Sequence, residues 1–200
     1  TRMGLSHCQN FIPLYSTFFS LNDTNYNSIN LNQTFSIQSI GYCESNSGSG
    51  SEEEQNSQHF KNIANASVKK KDDDNVVDVP VFFKFSPLLD PIKYLAGSYD
   101  TQNEALLHLP ELHSWPISSS CNSSSSSEKG DNVKHYCHSK VLDPNNSAYV
   151  DGFFSYLSSQ LLHTHDFIHG IDFYGSYLAI QKDFIVNIID DQEYLMRNTF

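Results

Sequence analysis

The sequence predicts an α+β fold, and three observations predict it. The run Val76-Val-Asp-Val-Pro-Val-Phe-Phe-Lys-Phe85 is rich in β-branched and aromatic residues, the composition of a strand buried on at least one face. Apolar residues then recur at helical spacing, at Tyr149, Val150, Phe153, Phe154, Leu157 and Leu161, just after the capping candidates Asn146 and Ser147. This helix turns through His165-Asp-Phe-Ile-His-Gly170 into a second aromatic, strand-like segment, Ile171-Asp-Phe-Tyr-Gly-Ser-Tyr-Leu-Ala-Ile180.

Taken in order, residues 1–43 form a strand and turn segment. Its apolar blocks, Phe11-Ile-Pro-Leu-Tyr15, Phe18-Phe19 and Phe35-Ser-Ile-Gln-Ser-Ile40, are separated by the turn-forming Asn22-Asp-Thr-Asn-Tyr-Asn27. Residues 44–75 are dominated by Ser, Gly, Glu, Asn and Asp, with too little apolar surface to offset the entropy of ordering them, and are expected to be a disordered insert. Residues 76–116 carry the strand with Lys84; Pro80 puts that strand at a sheet edge or at its own start. Asp90 and Pro91 then cap and open a short helix over Ile92-Lys-Tyr-Leu-Ala96, stopped by Gly97.

Residues 117–134 form a second, Ser-rich insert that cannot supply a core. Residues 135–200 hold the main helix, about 147–163, with Asp151 placed in its first turn, where the helix dipole favours a carboxylate. Phe184-Ile-Val-Asn-Ile-Ile189 reads as a further strand, and Asp190-Asp191 as the turn into a last helix.

The formal net charge of −11 argues against a nucleic-acid partner, because the one basic run, Lys69-Lys-Lys71, is followed at once by Asp72-Asp-Asp74. No run has the roughly 20 apolar residues that span a bilayer, and the first residues lack the basic and apolar regions of a signal peptide, so neither a membrane partner nor secretion is expected. The four cysteines, Cys8, Cys43, Cys121 and Cys137, are widely spaced and read as reduced thiols. The chain opens on Thr1-Arg2 and closes on a mixed apolar stretch ending at Phe200, which reads as a fragment of a longer protein holding an incomplete domain.

Candidate chemistry centres on Lys84. A lysine between Phe83 and Phe85 needs an anionic partner or an exit to water, or else guards an edge strand against pairing with another chain. Asp151 is the only carboxylate between Ala148 and Leu162, so it is the one acid the helix offers as a partner; a plain dipole role competes with that. Gly41, Gly48 and Gly50 precede the lysine, but not with G-x-G-x-x-G spacing. His163, His165 and His169 suit a helix C-terminus better than a metal, and Cys121, His135, Cys137 and His138 straddle the Ser tract, so no metal site is assigned. Tyr174-Gly-Ser-Tyr177 lacks the second glycine of a hydrolase nucleophile turn.

Over the blocks Val79–Tyr94 and Leu142–Leu162, continuing through Phe167–Tyr177, the chain resembles the divergent serine/threonine-kinase-like proteins of nucleocytoplasmic large DNA viruses. With Phe11–Tyr15 the resemblance covers about half the chain. It implies the amino-terminal small lobe of a kinase: an antiparallel sheet, the 147–163 helix as its regulatory helix, Lys84 as the phosphate-contacting lysine paired with Asp151, and ATP and Mg2+ as cofactors. It further implies a protein substrate and a location in the host cytoplasm or the virion. The catalytic base and the metal ligands of phosphoryl transfer do not occur in this chain, so the lobe would not be catalytically complete by itself. The alternative is a non-catalytic viral structural or protein-interaction domain, a pseudokinase included.

Overall fold

The computed structural model describes residues 4–41, 62–116 and 136–198. These form a mixed α+β protein with two small antiparallel sheets, a short parallel bridge and few helices. In chain order the elements are β1 (Leu5–Gln9), β2 (Phe35–Ile40), β3 (Ile63–Lys70), β4 (Val76–Phe82), α1 (Pro91–Leu95), β5 (Trp115–Pro116), β6 (Tyr136–Cys137), α2 (Ser139–Leu142), α3 (Ser147–His165), β7 (Leu178–Gln181) and α4 (Gln192–Asn198). Short 3-10 turns occupy Pro13–Thr17 and Glu104–Leu107. The described residues divide into two compact units, a sheet unit (30–41, 62–86 and 152–175) and a terminal unit (4–29, 87–116, 136–151 and 176–198).

The sheet unit is built on the antiparallel meander β2-β3-β4. Side chains alternate between its two faces. Ala66, Val68 and Val81 are buried on one face, with Phe35, Ile37, Val79, Phe83 and Tyr174 packed against them. The other face is mixed, with Asn65, Ser67, Lys69 and Asp78 beside the exposed Ile63, Val76 and Phe82, and there Ser67 Oγ donates to Oδ1 of Asp78, its paired residue on β4, at 2.6 Å.

Strand β3 corrects the expectation that residues 44–75 are an insert throughout, since Ile63–Lys70 is the central strand. Its inward positions include Ala64 and Ala66, whose small side chains give a weak hydrophobic signal, and it lies between polar runs that dominate any composition window. The expectations for residues 44–61 and 117–134 lie outside the described residues.

Pro80 sits on β4, which pairs only with β3 among the described residues. Its partner is Asn65, whose carbonyl accepts from Gly41 N at 2.7 Å on the β2 side. Asn65 and Pro80 therefore form a non-hydrogen-bonded pair, and the N–H that proline lacks would have faced the open edge. The edge position expected for Pro80 holds, and the sheet loses no ladder bond to it.

The terminal unit joins β1 to β7 antiparallel and buries Phe11, Ile12, Leu14 and Tyr15 around the first 3-10 turn. Gln9 Nε2 donates to Pro110 O at 2.8 Å, and the Asn27 side chain accepts from the backbone of Asn10 and Phe11. Helix α1 starts as the sequence predicts, with Asp90 Oδ1 accepting from Ile92 N and Lys93 N and Pro91 in the first turn.

Asn146 caps α3 through its Oδ1, which accepts from Ala148 N at 3.1 Å, while its Nδ2 donates to Leu88 O and Lys140 O. Because the helix begins at Ser147, Asp151 falls beyond the first turn, which contains no acid; the placement expected for it is corrected accordingly. Two other expectations change. Of Ile171–Ile180 only the part from Leu178 pairs as a strand, and Phe184–Ile189 joins no ladder, with Ile185 and Ile189 largely exposed. Helix α4 does follow Asp190-Asp191.

Candidate functional site

The best-built constellation is the second half of α3 with the segment that folds back along it. After His165 the chain leaves the helix at Asp166, in left-handed backbone at φ 52°, and reaches Gly170. A Cβ at Gly170 would lie 2.7 Å from the Ser158 carbonyl and 3.0 Å from Leu162 Cβ, so only glycine lets the returning chain approach the helix this closely. Phe173 N then donates to the fully buried Ser159 Oγ at 3.2 Å, and the Phe173 ring meets Tyr156 edge-on at 5.7 Å.

Farther along, His163 Nε2 meets Asp172 Oδ1 at 2.7 Å, and the His163 ring stands edge-on to Phe35 of β2 at 5.5 Å. Phe35 also packs on Tyr174, whose carbonyl accepts from Gln33 Nε2 at 2.9 Å. Burial, and then the Asp172 carboxylate, push the Tyr174 hydroxyl above its ordinary pKa. The His163–Asp172 pair thus locks the return segment to both the helix and the sheet. Among the described residues no group of three or more His, Cys, Asp or Glu is placed to hold a metal ion.

The outward side of α3 is apolar. Val150, Phe154, Leu157 and Leu161 follow one another at helical spacings of four, three and four residues, and Phe154 is 68% exposed. The sequence pattern pools these residues with Tyr149 and Phe153, yet Tyr149 is buried and Phe153 half-buried, so the apolar pattern runs from a packed part of the helix onto an exposed one, with the fully buried Ser159 opposite the ladder. Periodicity finds the ladder; it does not tell which apolar stripe the core takes.

The residues singled out in the sequence are placed as follows. Lys84 lies two residues past the end of β4 and is exposed, while its neighbour Phe83 packs on the core cluster. Asp151 is exposed and belongs to the terminal unit, whereas Lys84 belongs to the sheet unit. Gly41 closes β2 on Asn65, and Gly48 and Gly50 lie outside the described residues. The described residues offer Lys84 toward a phosphate and no gathered carboxylates toward Mg2+, so by themselves they do not make the ATP and Mg2+ site that the resemblance implies.

Of the cysteine and histidine group, Cys137 is buried and its Sγ donates to His108 O at 3.1 Å; burial pushes its thiol up to about 11. His138 caps α2 with Nδ1 accepting from Lys140 N at 3.1 Å, and burial, aided by the Lys140 charge, lowers its pKa. Beside them the Tyr149 hydroxyl donates to Val141 O at 2.7 Å, and burial holds it far above the ordinary phenol range. These are structural assignments, each partner being backbone.

No family model matches the chain, and no curated protein or solved structure matches it at a significant level.

Proposed function

We propose that the chain is a non-catalytic protein-interaction domain whose contact surface is the outward ladder of α3. The observation that carries this reading is the exposure of Phe154, Leu157 and Leu161 on one side of a helix whose opposite side is already packed. Such a contiguous apolar stripe on a regular helix is a surface for another apolar element. Among the described residues no helix is long and apolar enough to cross a membrane.

A second reading, the ATP-binding small lobe of a viral serine/threonine-kinase-like protein, is favoured by chain order. Three antiparallel strands, Lys84 two residues past the last of them and a later long helix come in the order of the corresponding parts of such a lobe, whose own lysine sits on the strand. In that reading Lys84 contacts phosphate and Asp151 pairs with it.

The experiment that separates them is a Mg2+-ATP titration of the protein expressed with its full reading frame, wild type against Lys84→Ala. Absence of saturable binding, or equal binding by both forms, is the expected result. Saturable binding that disappears with Lys84→Ala overturns the interaction-domain reading in favour of the lobe.

A further inference from the structure

We propose that α2 is a proton-sensitive clasp: protonation of His138 opens the α2 turn and releases the start of α3, while the strands of the terminal unit stay paired. The starting observation is the direction of one hydrogen bond. The backbone amide of Lys140 lies 3.1 Å from His138 Nδ1, and an amide can only donate, so Nδ1 is the unprotonated nitrogen of a neutral ring. An imidazolium carries a proton on both nitrogens and offers this amide no acceptor in either ring orientation.

The clasp depends on this one residue. Helix α2 is four residues long, and His138 satisfies three of its amides: the ring takes Lys140 N, and the carbonyl takes Val141 N at 2.9 Å and Leu142 N at 3.2 Å. A helix so short has no interior to hold it once an end is lost. Its carbonyls in turn hold the next element. Lys140 O accepts from Asn146 Nδ2 at 2.8 Å, and Val141 O accepts from the buried Tyr149 hydroxyl at 2.7 Å. Asn146 caps α3 and Tyr149 lies in its first turn, so both lose a partner when α2 opens.

The surroundings give an imidazolium no compensation. Among the described residues the groups beside His138 are Tyr99, edge-on at 5.3 Å, the Lys140 ammonium and the Cys137 thiol. None of these is an anion in the acid range. Behind Tyr99 stand Tyr94 and Asp90, and the Asp90 carboxylate is engaged by the amides of Ile92 and Lys93. Burial, and then the Lys140 charge, lower the folded-state pKa of His138. The open form therefore takes up the proton more readily, so closure is favoured above the ordinary imidazole range and weakens as pH falls through it toward the folded value.

The test is amide hydrogen exchange of the full chain at about pH 7.5 and about pH 5, corrected for the intrinsic pH dependence of exchange. In the wild type, protection at Val141, Leu142 and Val150 should fall about fivefold or more, the scale of one lost N-cap. Protection at Lys182, whose amide donates to Gly4 O beside the β1–β7 pair, should hold. His138→Asn and His138→Ser each keep a capping side chain that does not titrate, and protection in both should be flat with pH. Independently of any variant, the ring-nitrogen chemical shifts of wild-type His138 near neutral pH should identify Nδ1 as the bare nitrogen. A proton on Nδ1 at that pH, wild-type protection that does not fall, or an equal fall in the Asn and Ser variants overturns the clasp. An equal fall at Lys182 and Val141 also overturns it, since the opening would then be global.

Discussion

The imidazole of His163 and the carboxylate of Asp172 meet at 2.7 Å across the turn that folds the chain back along α3. Both side chains keep partial access to solvent, 29% and 37% of their side-chain surface, so screening limits what the pair contributes. His163→Ala and Asp172→Ala should each destabilise the protein modestly. The double mutant should show a coupling of about 0.5–1 kcal/mol by urea denaturation. Strict additivity would mean that the contact contributes nothing beyond its two side chains.

Gly170 is a harder constraint. The atom nearest an added Cβ, at 2.7 Å, is a helix carbonyl, which cannot rotate away as a side-chain tip can. Gly170→Ala is expected to cost about 1–3 kcal/mol and to loosen the return segment, seen as faster amide exchange at Phe173. An unchanged melting temperature would show that the turn relocates freely.

His138 gives a pH dependence of definite sign. Its folded-state pKa is lowered, by burial first and the Lys140 charge second, so the unfolded chain binds the proton more readily. The associated stability is present above the ordinary imidazole range and is lost as pH falls through it toward the folded value. Between about pH 7.5 and about pH 5 the wild type should therefore lose more stability than His138→Asn, which can still cap α2 and does not titrate. Parallel pH profiles for the two proteins would remove His138 as the cause.

The two described cysteines should differ sharply in reactivity. Cys8 is exposed, whereas the Cys137 thiol is buried, bonded to the His108 carbonyl and raised to about 11. At mildly alkaline pH a thiol reagent should label Cys8 on the order of 100-fold faster than Cys137, the latter reacting at the rate of unfolding. Comparable rates in the native protein would contradict the packing around β6.

Strand β3 makes excision of Glu44–Asn75 destructive. The deletion removes Ala66 and Val68 from the buried cluster together with the ladder partners of both β2 and β4. Cooperative urea unfolding of the sheet should vanish, and a variant that keeps it would show that β2 and β4 can pair without their centre.

How much of this was legible in the sequence varied with the strength of the local chemistry. Asp90-Pro91 announced α1, and the Asn146 cap announced α3, because caps act through bonds to residues two or three positions away. The α+β class followed from Val76–Phe85 and the helix pattern. Strand β3 was hidden because alanines bury well while contributing little hydrophobic signal. Phe184–Ile189 misled for the opposite reason: it has strand composition but joins no ladder, and β propensity depends on such partners. At the candidate site the apolar period of α3 was readable, but its outward orientation depends on Ser159, Gly170 and Phe173, residues whose importance appears only when the chain folds back on the helix.

Pro80 carries a last consequence, for how this chain meets its own copies at high concentration. Among the described residues the sheet ends on a valine-rich strand, the type of sequence that seeds ordered aggregates, yet an incoming strand would find no donor at Pro80 and a carboxylate, Asp78, two positions away. Growth of fibrils from that margin is expected to be slowed at the backbone, whatever the side chains favour. Pro80→Val is thus expected to shorten the lag time of thioflavin-positive assembly while leaving the monomer's circular dichroism unchanged.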